Sequence, residues 1–224
     1  EFGIMKIEKE EEESEILNLF TSAVPLYSVV RVEEQPESEI KGIDEILKNE
    51  MIKNVVGDSI STDKYILNRP ELKTLNAFIK EHIDKYVENV MCPKNESLEF
   101  YITQSWLNLT KTNEGQELHD HPNSFISGVY YFTDECFLNL CNPNYYLERN
   151  TIWIQPKRDN LWNSFYHNVK IKSKQNTLIL FPSWIKHEVP ENQSSSDRMS
   201  MAFNVFVKGD LEDCGIELNE LKPR

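Results

Sequence analysis

The sequence predicts a mainly β protein, an antiparallel double-sheet jelly roll with helices ahead of it, and two changes of period carry that prediction. From about residue 99 to 207, apolar residues recur at every second position in short runs separated by polar turns, as in half-buried strands. Between residues 38 and 90 they recur at three- and four-residue steps, as in helices with one buried face. A chain of 224 residues has ample length for one core, and no repeat or low-complexity linker divides it. The expected organisation is therefore one domain over 1–224, with helical support over about 36–92 and a β core over about 99–207.

Taken in order, Glu1-Phe2-Gly3-Ile4 ahead of Met5 reads as a cloning remnant, and the acidic run Glu8 to Glu15 as a solvated lead-in. Val24 to Val30 is a short apolar strand whose Pro25 suits an edge. Ser38 to Val56 predicts a helix through Ile40, Ile43, Ile46, Leu47, Met51 and Val55. Pro70 to Val90 predicts a second, with Pro70 in its first turn and Asn68 as its cap. His82 falls off that stripe and is expected at the surface. Strands follow at Glu99–Leu109, Ser127–Phe132, Phe137–Cys141, Thr151–Gln155, Val169–Ile171, Leu178–Phe181 and Met199–Val207.

A net charge of −13 argues against nonspecific nucleic-acid binding, which needs a basic surface. No stretch approaches a membrane span and no secretory leader is seen. Cys92, Cys136, Cys141 and Cys214 form no Cys-x-x-Cys pair, so reduced thiols in a cytoplasmic protein are expected.

The chemistry concentrates in ELHDHPNSFISGVYYF, Glu117 to Phe132, and LILFPSWIKHEVPENQSSSDRMSMAFNVF, Leu178 to Phe206. Residues i and i+2 of a strand share a face, so His119 and His121 can offer both imidazoles to one metal while Asp120 points away. His187, at the end of an apolar run, is the third candidate ligand. Three nitrogen ligands leave positions open on an octahedral first-row metal. Past the loop ENQSSSD, Arg198 and Ser200 share the polar face of an alternating strand, a good shape for gripping a carboxylate. A competing reading makes Arg198 a surface partner of Asp197 or Glu191. Tyr131 shares a face with Ser127 and Val129, either lining a cavity or filling a core.

The ordered pieces HDHPNSFISGVYYF, LILFPSWIKHEV and RMSMAFNVF resemble the motifs of the 2-oxoglutarate/Fe(II)-dependent oxygenase superfamily, in particular a branch of small bacterial and phage proteins. They cover roughly the C-terminal half. The resemblance implies a double-stranded β-helix, Fe(II) at the histidines, and 2-oxoglutarate as cosubstrate. Arg198 and Ser200 would hold its 5-carboxylate, with Tyr131 and Asn108 assisting. It further implies O2 as reactant and a hydroxylated small-molecule or peptide substrate with succinate and CO2 released. One departure stands out: His121 occupies the place where the superfamily's first motif usually has a carboxylate. Either three histidines bind the iron or Asp120 enters through a bulge, and strand parity favours the histidines. Tyr145, Arg149, Trp153 and Trp162, in a long aromatic and basic connection, are candidates for a substrate lid. Two other readings stay open: a cupin-type metal enzyme needing no 2-oxoglutarate, and a noncatalytic jelly-roll binding module.

Overall fold

The computed structural model describes residues 4–9, 12–17, 24–55, 57–143, 168–211 and 217–219. The expected strand at Thr151–Gln155 lies outside them. Ile4–Lys9 (β1) and Glu12–Leu17 (β2) pair antiparallel, so the described residues of the acidic run lie in paired strands.

Two further antiparallel sheets build the jelly roll. The larger has the order β3-β11-β8-β13-β6-β5-β4, with β14 beside β13. Its strands are Tyr27–Val30 (β3), Met51–Lys53 (β4), Ser59–Ser61 (β5), Glu99–Thr110 (β6), Ile126–Tyr131 (β8), Thr177–Pro182 (β11), Arg198–Asp210 (β13) and Glu217–Leu218 (β14). The smaller has the order β10-β9-β12-β7, from Gln116–His119 (β7), Cys136–Leu140 (β9), Val169–Ser173 (β10) and His187–Val189 (β12). As Pro25 suggested, β3 lies at an edge.

The larger sheet is buried on both faces, which explains why every residue of β8 is buried. Ile126 and Tyr130 of β8, Leu178 and Leu180 of β11, and Met201, Phe203, Val205 and Val207 of β13 join the core under the helices. Val129, Tyr131, Ile179 and Phe181 take the other side, against Cys136, Leu138 and Leu140 of β9. Alternation is interrupted once. The β13–β6 register steps from Asn204 opposite Gln104 to Val205 opposite Ile102, leaving Thr103 as an extra residue on β6. Thr103 Oγ1 donates to the Asn204 carbonyl at 3.1 Å. Before this bulge Phe100 and Ile102 face the helices. After it Leu107 does, and Trp106, Asn108 and Thr110 turn to the space between the sheets. No feature of the sequence announced that change of parity.

The helices differ from expectation at their ends. Glu37–Asn49 (α1) stops before Met51, where β4 starts and pairs with β5. Arg69 binds both oxygens of Glu50 at this boundary, at 2.9 and 2.5 Å, and Gly57, with φ +117°, closes the turn to β5. Val55 is consequently fully exposed. Lys73–Tyr86 (α2) is reached through 3-10 turns at Ile66–Asn68 and Pro70–Leu72. Arg69 between them is extended, as a residue before proline prefers, so Asn68 caps nothing. His82 is buried, contrary to expectation. It lies three residues after Ile79 on the buried stripe, and its Nδ1 meets the Tyr27 hydroxyl at 2.7 Å. A buried ion pair from Arg31 to both oxygens of Glu39, at 2.9 and 3.1 Å, ties the exit of β3 to α1.

Gly128 of β8 faces Phe203 of β13, and a Cβ there would lie 2.0 Å from the ring. Phe203 is fully packed, so the strain has no easy outlet. Gly128→Ala is expected to cost about 1–3 kcal/mol in urea unfolding, with part recovered by Phe203→Leu in the same chain. An unchanged midpoint for the single variant would show that the ring moves freely.

Candidate metal centre and its cavity

His119 ends β7 and His187 begins β12, and the two are direct partners across that pair. His121 lies two residues beyond His119, its backbone N–H donating to the Ser183 carbonyl at 3.2 Å. One nitrogen from each ring lies within 4.8 Å of the others, while Asp120 is no part of the cluster. Ring centroids are 4.3 to 5.1 Å apart.

Two of the rings are pinned by backbone. His119 Nδ1 lies 2.7 Å from the Glu117 carbonyl and His187 Nδ1 lies 3.0 Å from that of Ile185. A carbonyl only accepts, so each Nδ1 carries the proton and each Nε2 is free to ligate. Burial, aided by the neighbouring His119, lowers His121 to about 4; burial above all lowers His187 to about 3. Both are therefore neutral near pH 7, the state a metal requires.

The larger sheet supplies the opposite wall. Ser200 of β13 is paired with Asn108 of β6 on one side and Tyr131 of β8 on the other, and Arg198 with Thr110. All five line one cavity with the three histidines, with about 630 Å³ of atom-free space counted to its open mouth. Strands remote in sequence thus place the predicted diacid-binding residues in adjoining rows.

Arg198 is buried, and its expected surface pairing with Asp197 or Glu191 does not form. Its Nη1 donates to the Pro190 carbonyl at 3.2 Å, its Cζ stands 5.1 Å from the centre of the Phe137 ring, and its Nε has no hydrogen-bond partner. A buried guanidinium without a counter-anion is costly, by several kcal/mol in order of magnitude, unless an anion joins it. Tyr131 is enclosed, and burial holds its phenol far above the ordinary range.

Sequence reasoning missed the support behind Asn108. Asp58, fully buried, accepts from Gln116 Nε2 at 2.7 Å and from Asn54 at 3.3 Å. The same Gln116 nitrogen donates to Asn108 Oδ1 at 3.2 Å, where Trp106 Nε1 also donates at 3.1 Å. With Oδ1 taken twice, the Asn108 amide nitrogen is left for the cavity. Only the β6–β7 turn and the β4–β5 hairpin bring these groups together, so local pattern held no signal of them. The lid candidates Tyr145, Arg149, Trp153 and Trp162 lie outside the described residues.

Residues 104–204 match a protein-family model described as "Putative 2OG-Fe(II) oxygenase". The fold is similar to that of the non-heme alpha ketoglutarate dependent carbocyclase SnoK from nogalamycin biosynthesis, with a TM-score of 0.58 and 15% identity over 83% of this chain and 80% of that one. A Pseudomonas putida prolyl-4-hydroxylase gives 0.53 and 12%, covering 80% and 91%. HygX from Streptomyces hygroscopicus, solved with nickel and 2-oxoglutarate bound, gives 0.54 and 9%, covering 81% and 82%. No curated protein matches the sequence.

The buried histidines set a pH dependence. His187 stands at about 3 in the folded chain against 6.5 for an ordinary histidine, so the unfolded chain binds more protons below pH 6.5. Its contribution to stability is complete above that value and is lost as pH falls. Metal-free protein is expected to lose about 2 kcal/mol from this residue between pH 7.5 and 5.0, and His187→Gln to lose correspondingly less. Urea midpoints at the two pH values check this; equal losses in both chains would contradict it.

Proposed function

From the match of residues 104–204 to a 2OG-Fe(II) oxygenase family model, we propose that the chain is a 2-oxoglutarate/Fe(II)-dependent oxygenase in which His119, His121 and His187 hold the iron while Arg198 grips the far carboxylate of 2-oxoglutarate. The activity is that of a 2-oxoglutarate-dependent dioxygenase, with O2 and a small-molecule or peptide substrate as its partners. Bound Fe(II) and 2-oxoglutarate supply the oxidising chemistry, in which oxidative decarboxylation to succinate and CO2 is coupled to hydroxylation of the substrate.

The residues fit those groups. Three imidazole nitrogens suit a first-row divalent ion, and the backbone contacts at Nδ1 of His119 and His187 fix ring orientation before the ion arrives. The observation that carries the reading is the buried guanidinium in the same cavity, which among the described residues has no carboxylate partner and an Nε without a hydrogen bond. A metal enzyme working without a diacid leaves that charge unexplained. Ser200, beside Arg198 on the cavity face of β13, offers a hydroxyl to the same carboxylate; Tyr131 and the Asn108 amide are placed to assist. Phe137, Leu138, Val129 and Phe181 exclude water and strengthen these contacts. The free thiols of Cys92, Cys136 and Cys141 support a reducing compartment, which we take to be the cytoplasm.

Arg198→Ala is expected to weaken 2-oxoglutarate binding by about 2–4 kcal/mol in anaerobic, iron-loaded protein, and to abolish succinate release at ordinary cosubstrate concentration. Unchanged affinity would remove Arg198 from the cosubstrate site. His187→Ala is expected to lower bound iron well below one per chain by elemental analysis; full stoichiometry would exclude that ligand.

A further inference from the structure

A groove of about 950 Å³, counted to open solvent, adjoins the cavity and shares Trp106, Gln116, His119 and His121 with it. Whatever lies in this groove therefore reaches the histidines. One wall is apolar, from Ile60, Leu118 and Trp106. Trp106 donates its Nε1 to Asn108 on the cavity side, which secures the indole where it also lines the groove.

The cation of the groove is Lys64. Its Nζ donates to the Ser61 carbonyl at 2.9 Å and lies 5.9 Å from the centre of the Trp106 ring. Among the described residues no carboxylate pairs with it, although Asp58 and Glu117 are near. The Asp58 carboxylate is already committed to Gln116 and Asn54. Lys64 is half-buried, so its two remaining N–H bonds act in a partly desolvated setting, where a charge-assisted contact is stronger than at open surface.

Resting on the oxygenase reading above, we propose that Lys64 and Trp106 form the substrate-recognition site, and that the substrate is a small carboxylic acid. Its acid group pairs with Lys64 and its apolar body lies along Trp106, Ile60 and Leu118. A monoanion suits the site better than a phosphate. One ammonium with two free donors faces it, and the Glu117 carboxylate lines the same groove, so a second negative charge on the ligand has no cation to meet.

The test uses full-length protein loaded with Ni(II) and 2-oxoglutarate, titrated calorimetrically with 3-phenylpropionate and, separately, with its amide. The acid is expected to bind at least about tenfold more tightly than the amide. Lys64→Met removes that preference, and Lys64→Arg, which keeps the charge, retains most of it. Equal binding of acid and amide, no binding of either, or an unaltered preference in Lys64→Met would overturn the assignment. So would a parallel loss of 2-oxoglutarate affinity in Lys64→Met, which would place Lys64 at the cosubstrate. Failure of wild-type protein to bind 2-oxoglutarate at all, measured first, strikes at the oxygenase site itself and is thereby distinguished.

Discussion

Burial of the larger sheet on both of its faces is the constraint on which the rest depends. Along a strand, successive side chains go to opposite faces, so each residue of β8 and β11 must enter one of two cores. The face under the helices takes mainly apolar residues, with Ser105 satisfied by the Leu67 N–H. The face toward the smaller sheet has room to spare, and there Ser127, Tyr131, Ser200 and Arg198 find a cavity. A slip of one residue would drive the guanidinium under the helices and expel Met201 and Phe203 into the cavity, at a cost that makes the register unambiguous.

The two sheets divide the site between them. The smaller sheet carries His119 and His187 as a cross-strand pair, and the larger carries the rows of Arg198 and Ser200 proposed to bind the diacid. Hydroxyls tie the anchor of His121 to the larger sheet: Ser183, whose carbonyl receives the His121 N–H, has its Oγ 2.8 Å from that of Ser127 and donates to that of Ser124 at 2.9 Å. Both sides of that ladder are rooted in or beside β8 and β11. The position of His121 is thus inherited from the larger sheet, although the residue follows a strand of the smaller one.

What was legible in the sequence was what short-range pattern encodes. Alternation located six of the core strands and put Arg198 and Ser200 on one face, and spacing singled out the three histidines, which the structure brings together. What was not legible depends on non-local pairing. The bulge at Thr103 is a property of two strands about a hundred residues apart, and without it Asn108 would share the face of Phe100. Lys64 and Asp58 lie in short turns and Gln116 opens a four-residue strand, too short for any of them to show a period, so neither the groove nor the support of Asn108 had a local signature. His82 departs from expectation for a different reason: it falls off the apolar stripe of its helix, yet a single hydroxyl, that of Tyr27, is enough to satisfy it inside.

Three imidazoles as the proposed metal ligands have an electrostatic consequence for the whole cavity. Neutral histidines leave the charge of a divalent ion intact, where a carboxylate ligand would cancel part of it, and Arg198 adds a further positive charge in the same enclosed space. Among the described residues no carboxylate lines the cavity; Asp58 is turned to Gln116 and Asn54, and Asp120 lies outside the ligand cluster. A dianionic cosubstrate neutralises only part of that total. The metal and the diacid therefore each lower the cost of burying the other, and the positive charge that remains favours an acid over a neutral molecule in the adjoining groove. A carboxylate in place of His121 would remove that surplus, so the ligand set and the charge of the substrate are two sides of one balance.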